Sequence, residues 1–439
     1  MGVEAHKPLL ESIGVDVERH AKMMGMGLGA YQNLFMSQEN RPKGMAYFDW
    51  FVSEIQGERI AEINALRAQK KPAVGTFCIF VPEEIVTGAG GACYGLCGGS
   101  AATIADAETE LPRNICPLIK SAHGFKLQRT CAYTQSSDFI YGETTCEAKK
   151  KGWEILNKHH PVHVMNIPHM KRDKDLALWQ EEIKEFKEHI EEVTGEPLSL
   201  DAMKEGVRII NAKRAALQRL DALRGMHPDI MPISGKDALF ITQMGFLDDP
   251  KRYTQKVNTL CDELEERIAQ KTSVFPANTP RLIVLGTPFA PPNWKLHHAV
   301  ETTGGVIINE ESCIGHRYFK DNVDIDGVEN EEALYKALME RYSKIDCACF
   351  TPNEGRIEKI LNMVKERQAD GVIYYTLSFC HTYNVESKLV LDAMEEAGIP
   401  ALAIESDYSP EDAGQIKTRV EAFLESIAFS QKARAFKGL

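Results

Sequence analysis

Six cysteines stand where a strand is expected to end or a helix to begin: Cys97, Cys116, Cys131, Cys146, Cys313 and Cys380. Backbone N–H groups and the positive end of a helix dipole stabilise negative charge at such positions. A thiolate-ligated iron–sulfur cluster is a compact anion whose potential is tuned by hydrogen bonds of that kind. The arrangement therefore points to an iron–sulfur centre and to redox chemistry. The other five cysteines read differently. Cys78 falls inside the continuous apolar run 73–80, and Cys261 lies on a charged helical segment beside Leu260 and Leu264, so both read as small core residues. Cys93 shares a strand face with Cys97, as Cys347 does with Cys349. A lone Cys-x-Cys lacks the second close pair of a zinc motif, so Cys93, Cys347 and Cys349 read as structural.

Other motifs narrow the chemistry. His159-His160-Pro161-Val162-His163 and His297-His298 lack the helical His-Glu-x-x-His spacing and read as strand-edge or solvent-facing histidines. Gly88-Ala89-Gly90-Gly91 follows a helix, and the third glycine of a dinucleotide fingerprint would fall at Cys93, so that reading fails. The chain has no Gly-x-x-x-x-Gly-Lys-Ser/Thr phosphate loop, so any ATP dependence has to come from a partner.

The elements that must position these thiols follow from patterning. At 439 residues the chain is long enough for two or three domains. Residues 1–71 read as an N-terminal helical arm, with Phe48, Phe51, Ile55, Ile60 and Ile63 near a helical period. Residues 72–172 read as a first α/β domain with strands near 73–80, 92–96, 138–141 and 162–167 and a helix over 147–156. Residues 173–278 are charged and helix-favouring, a helical insert or linker. Residues 279–439 restart the alternation, with strands near 281–286, 305–309, 346–350, 371–375 and 400–405. The fold class is α/β: two open parallel-sheet, Rossmann- or flavodoxin-like domains. Ligands of such sheets bind outside the carboxyl ends of the strands, so a cleft between the domains is the simplest place to gather all six cysteines.

Composition sets the surroundings. Eleven cysteines, an odd number without short repeated spacings, indicate free thiols and a reducing compartment. Met1-Gly2-Val3-Glu4-Ala5-His6 leads into no export or lipid signal, and apolar runs break well before the ~18 residues of a membrane span, so a cytoplasmic, non-membrane protein is expected. A formal net charge of −12 disfavours a nucleic-acid partner, and Lys149-Lys150-Lys151 and Lys171-Arg172 read as solvated helix faces.

The segments 111–120, which contains Asn114-Ile115-Cys116-Pro117, and 142–151, which contains Thr144-Thr145-Cys146-Glu147, resemble the 2-hydroxyacyl-CoA dehydratase and benzoyl-CoA reductase superfamily. Within it the chain is most similar to the double-cubane cluster proteins. The resemblance continues through Gly75-Thr76-Phe77-Cys78, Leu96-Cys97-Gly98, Thr130-Cys131, Ser312-Cys313, Phe379-Cys380-His381-Thr382-Tyr383-Asn384, Glu405-Ser406-Asp407-Tyr408 and the segment 418–423, and covers residues 70–425. It departs at Glu147-Ala148, where Asp-Gly is expected, and at Ala132, where proline is expected.

The resemblance implies that Cys116, Cys146 and Cys380 hold one four-iron cubane and that Cys97, Cys131 and Cys313 hold a second, together an eight-iron, nine-sulfur double-cubane cluster. It further implies an enzyme, the reductase component of a homodimeric, anaerobic iron–sulfur system. A separate iron–sulfur ATPase would deliver low-potential electrons to it for reduction of a small-molecule substrate. Lys120, His123 and His381 lie close in sequence to ligand cysteines and are candidate proton donors. The alternatives are a 2-hydroxyacyl-CoA dehydratase subunit, a lyase with a single four-iron, four-sulfur cluster, and a non-catalytic electron store on the same fold.

Overall fold

The computed structural model describes residues 2–225 and 227–437, with side-chain surroundings for 4–225 and 227–429. Among these residues, eight strands form two four-stranded parallel sheets. The first contains β1 (Ala73–Thr76), β2 (Ala92–Gly95), β3 (Phe139–Glu143) and β4 (Val162–Met165), in the order β2-β1-β3-β4. The second contains β5 (Arg281–Gly286), β6 (Val306–Glu311), β7 (Gly371–Leu377) and β8 (Ala401–Ser406), in the order β6-β5-β7-β8. β1, β3, β5, β6 and β7 are buried along their whole length, as expected of parallel strands covered on both faces. Val74 pairs with Cys93 on one side and Phe139 on the other, and Ile283 likewise with Asn309 and Val372. In each sheet the chain passes from the first strand to one flank and then to the other. That reversal leaves a crevice at the carboxyl ends.

The helix Glu147–Leu156 and the strand β5 fall on the bounds read from the sequence. Two other segments differ. The run 73–80 reads as strand throughout, but β1 ends at Thr76. The ladder closes with Leu96 N–H donating to the Thr76 carbonyl at 2.7 Å, and the next amide in line, Cys78 N–H, turns to the Glu143 carboxylate at 3.2 Å. Residues 346–350, which also read as strand, form a loop outside both sheets. There the Cys347 carbonyl accepts from Phe350 N–H at 3.1 Å and from Asn353 Nδ2 at 3.0 Å, while Lys171 holds Asp346 at 3.1 Å.

Helices Asp173–Thr194, Leu200–Gly225, Gly235–Met244 and Pro250–Ala269 separate the two sheets in sequence. Gly235–Met244 is buried at every residue and receives the N-terminal arm. Tyr31 and Phe35 of the arm lie 4.6 and 5.5 Å from the Phe240 ring, and Arg41 bridges Asp49 at 3.0 Å and Asp237 at 2.7 Å.

Helix Leu200–Gly225 crosses helix Glu83–Gly88 with backbones nearly touching. A Cβ on Gly206 would stand 2.0 Å from the Glu84 carbonyl oxygen, and one on Gly88 would stand 2.6 Å from that of Ala202. Gly206→Ala should therefore lose about 1–3 kcal/mol of stability despite alanine's better helix propensity. Gly25→Ala, in the helix Val17–Tyr31 with open space around the new methyl, should gain about 0.5–1 kcal/mol. Urea unfolding of the two variants checks the pair, and a Gly206→Ala protein as stable as the parent would refute the close crossing.

A cysteine-lined cavity between the two sheets

The carboxyl ends of both sheets open onto one cavity of about 220 Å³. Eight cysteines line it: Cys78, Cys97, Cys116, Cys146, Cys313, Cys347, Cys349 and Cys380. Six of them arrive on chain segments leaving a strand or entering a helix, and Cys347 and Cys349 lie in the loop 346–350. Cys78 lies two residues beyond β1, Cys97 two beyond β2 and Cys313 two beyond β6. Cys116, Cys146 and Cys380 are the N-caps of helices Pro117–Gln128, Glu147–Leu156 and His381–Glu396. Cys380 is delivered by a tight turn in which Phe379 holds φ at +60°, a left-handed conformation that costs a bulky residue about 1–3 kcal/mol. That turn is fixed by Ser378 N–H donating to the Ser406 carbonyl at 2.8 Å and Cys380 N–H to that of Leu377 at 3.0 Å.

Several thiols act on one another, Cys116 with Cys380 and Cys347 with both Cys313 and Cys349. The Cys380 hydrogen bond pulls the Cys116 thiol below its usual range against its burial, helped by the amides of Leu118 and Ile119 at the helix start. Cys313 and Cys349 in turn lower Cys347. Burial pushes Cys78 up to about 11 and Cys97 up to about 12, and the Cys97 thiol donates to the Phe77 carbonyl at 2.7 Å.

Two cations stand among these sulfurs. Lys149 is buried, with Nζ 2.5 Å from Cys78 Sγ. Burial opposes its charge, yet Cys78, Glu143, Cys97 and Cys146 hold its pKa well above the usual lysine range. Arg317 places Nη1 3.7 Å from Cys313 Sγ and also donates to Tyr383 Oη, which lies 3.3 Å from Cys347 Sγ. Ile79, Leu118, Phe246 and Leu377 supply apolar wall. Crowded thiols, helix N-termini and fixed cations in an apolar setting are the donor set and charge environment that an iron–sulfur cluster requires. The residues present fit that group.

Five of the six cysteines singled out from the sequence meet in this cavity. Cys131 does not line it. It caps the short helix Ala132–Ser136, under the amides of Tyr133 and Thr134, and faces a larger neighbouring cleft that also reaches Cys97. Of the candidate proton donors, His381 lines the cavity. Lys120 Nζ is instead tied to Glu108 and to the Arg113 carbonyl, both at 2.9 Å, and His123 Nε2 lies 2.8 Å from Glu110. Sequence reasoning misses Cys78, Cys347 and Cys349. The signals for them are Pro82 shortly after Cys78, and Asp346 and Pro352 bracketing Cys347 and Cys349, which favour chain turns over continued strand.

Residues 78–427 match the family described as HGD-D, 2-hydroxyglutaryl-CoA dehydratase, D-component, and the chain belongs to that family. It is 36% identical over 385 residues to YjiM of Escherichia coli strain K12, a protein given the provisional name of a dehydratase subunit; the match spans 87% of this chain and 98% of that one. It is 25% identical to the beta subunit of (R)-2-hydroxyglutaryl-CoA dehydratase from Acidaminococcus fermentans, over 82% and 94% of the two chains. Against one of the benzoyl-CoA reductase subunits of Thauera aromatica the identity is 22%, with 80% and 89% covered. These relationships place the chain in the 2-hydroxyacyl-CoA dehydratase and benzoyl-CoA reductase superfamily, whose named members are components of dehydratases and reductases.

Lys149 compensates a buried carboxylate as well as sulfur, since Glu143 is fully buried beside it. Lys149→Met should cost about 1–3 kcal/mol by leaving the buried Cys78 thiol and Glu143 carboxyl without their cation, and adding Glu143→Gln should recover part of that loss. Anaerobic urea titration of the single and double variants reads the coupling. Additive losses would show that the two groups do not compensate each other.

Proposed function

We propose that the chain is the cluster-bearing reductase component of an ATP-dependent system, using an eight-iron double-cubane cluster in the cavity to reduce small molecules. The observation that carries this reading is the eight-thiol cavity itself: a single cubane needs three or four ligands, and this site offers twice that. Cys116, Cys146 and Cys380 form one ligand set, and Cys78, Cys313 and one thiol of the Cys347–Cys349 pair supply the other three ligands. This replaces Cys131, which lies outside the cavity, and leaves Cys97 as a neighbouring thiol that donates to the Phe77 carbonyl. When bound, the cluster supplies single electrons at low potential.

The chain's own residues set the conditions for that chemistry. Lys149 and Arg317 hold positive charge against the sulfurs, apolar side chains form most of the wall, and His381 stands at the exposed rim, a candidate to pass protons to the cavity mouth. Electrons come from a separate iron–sulfur ATPase, a role supported by the absence of any phosphate loop in this chain. Helix His381–Glu396 begins at Cys380 and leaves Val385 75% and Leu389 62% exposed, an apolar stripe on a short route to the cavity that suits such a partner. The reading includes a homodimer in the cytoplasm. Among the described residues no helix is long and apolar enough to cross a membrane.

The family name favours a second reading, a 2-hydroxyacyl-CoA dehydratase subunit with a single four-iron cluster. Iron and sulfide assays on anaerobically purified protein separate the two, with about eight irons per chain expected against about four. Cys78→Ser and Cys313→Ser should each lower iron towards the single-cubane value, because a hydroxyl is a poor substitute for thiolate at iron, while Cys131→Ser should leave it unchanged. Four irons in the parent protein, or iron loss on Cys131→Ser alone, would overturn the assignment.

A further inference from the structure

Glu110, His123 and His159 converge beside helices Pro117–Gln128 and Glu147–Leu156, and neither the cavity chemistry nor the cluster uses them as a set. His123 Nε2 lies 2.8 Å from a Glu110 carboxylate oxygen, and His159 Nε2 lies 3.0 Å from both oxygens of the same carboxylate. The three ligating atoms all lie within 4.8 Å of one another, and the two imidazole planes are inclined at 76° with centroids 5.8 Å apart. Two imidazole nitrogens and a carboxylate are the donor set of a three-ligand zinc site with its fourth position open, and Glu110 and His159 face solvent where that position would lie. Spreading the nitrogen–oxygen separations by a few tenths of an ångström admits an ion at the usual ~2.0–2.2 Å.

We propose that Glu110, His123 and His159 bind one divalent cation of the zinc class, at a site separate from the cysteine cavity. The three ligands come from separate parts of the chain. His123 is inside helix Pro117–Gln128, His159 follows the end of helix Glu147–Leu156, and Glu110 precedes both. The N-caps of those two helices are Cys116 and Cys146. An ion here would tie helix Pro117–Gln128 to the turn that follows helix Glu147–Leu156. The sequence alone makes His159 a solvent-facing histidine. The structure gives it two partners that are distant in the chain.

The test uses anaerobically purified holoprotein, its iron intact, stripped of adventitious metal with a mild chelator and then incubated with zinc sulfate. The parent should retain a single zinc per chain through gel filtration. Zinc-edge X-ray absorption should show a nitrogen and oxygen shell without sulfur. Excess zinc should raise the melting temperature by about 3 °C, the scale expected for saturating ligand on a chain of this size. Glu110→Gln and His159→Gln should each abolish zinc retention and the thermal shift while keeping the parent's iron content, which reports that the fold is intact. No zinc retained by the parent, a sulfur-containing shell, or undiminished zinc in both variants would overturn the proposal.

Discussion

Glu84 and Arg214 meet at 2.7 Å with side chains 1% and 0% exposed, and the relation between the two sheets depends on this contact. Beside it Glu83 takes Lys213 at 2.9 Å and the Tyr318 hydroxyl, while Tyr342 donates to Glu84 at 2.8 Å. Glu83 and Glu84 begin the helix that follows β1. Tyr318 and Tyr342 belong to the second sheet's side of the molecule, and Lys213 and Arg214 to the long helix that runs between. A desolvated ion pair of this kind contributes little net stability against a well-packed apolar alternative. Losing one partner, however, costs about 3–5 kcal/mol, because a buried charge is left behind. The pair therefore acts through direction. With Gly88 and Gly206 in near-contact alongside it, the crossing has little freedom to slide, and the carboxyl ends of the two sheets are held facing each other across the cavity.

The cavity poses an electrostatic problem that the surrounding residues answer in layers. Sulfurs brought together as thiolates repel, and a low-dielectric setting strengthens that repulsion. Three of the thiols sit at helix N-termini, where the backbone supplies partial positive charge without a side chain. Lys149 and Arg317 supply full charges. Arg317 is itself secured by Glu311 at 2.6 Å, Glu311 also takes Arg356 at 2.8 Å, and Arg356 reaches Glu386 at 3.0 Å. Glu386 lies on the helix that Cys380 caps, and it also accepts from the Tyr374 hydroxyl of β7 at 2.9 Å. Charges alternate in sign from the sulfur site back to the scaffold, so a buried guanidinium remains charged while its position is fixed from behind.

Much of this is legible in the residue pattern, for a physical reason. Parallel strands buried on both faces appear as continuous apolar runs, so β5 and β7 announce themselves, and charged amphipathic helices such as Glu147–Leu156 are equally plain. Where a strand stops is harder to see. Nothing in Gly75-Thr76-Phe77-Cys78-Ile79-Phe80 marks Thr76 as the last paired residue, because the stop is imposed from a distance by the Glu143 carboxylate capturing the Cys78 amide. Alternation in Asp346-Cys347-Ala348-Cys349-Phe350 imitates a strand, but the segment turns back on itself, with Phe350 N–H donating to the Cys347 carbonyl, and joins neither sheet. Closeness in sequence draws Lys120 and His123 towards the site. On a helix capped by Cys116, a residue four or seven positions on points wherever the helix turns it, and here that is towards Glu108 and Glu110.

The two sheets share one strand order, and that order accounts for where the thiols fall. β2 corresponds to β6, and each is followed two residues later by a cysteine, Cys97 and Cys313. β3 corresponds to β7, and each leads to a cysteine that caps the next helix, Cys146 and Cys380. Before those strands, the helices Pro117–Gln128 and Glu354–Glu366 are preceded by Cys116 in one half and by Cys347 and Cys349 in the other. Each half thus presents thiols at the same three topological positions, and facing the halves across a cavity brings the two sets together. Cys78 after β1 has no such counterpart, since Thr287 and Pro288 follow β5, and its thiol is the one that Lys149 meets directly. Cys131 has no counterpart either, and it is the one cysteine of the six strand-end and helix-start candidates that this geometry leaves outside. A site assembled from matching positions on two lobes exists only while both lobes are folded and correctly apposed, so the buried Glu84–Arg214 crossing and the sulfur cavity depend on the same geometry.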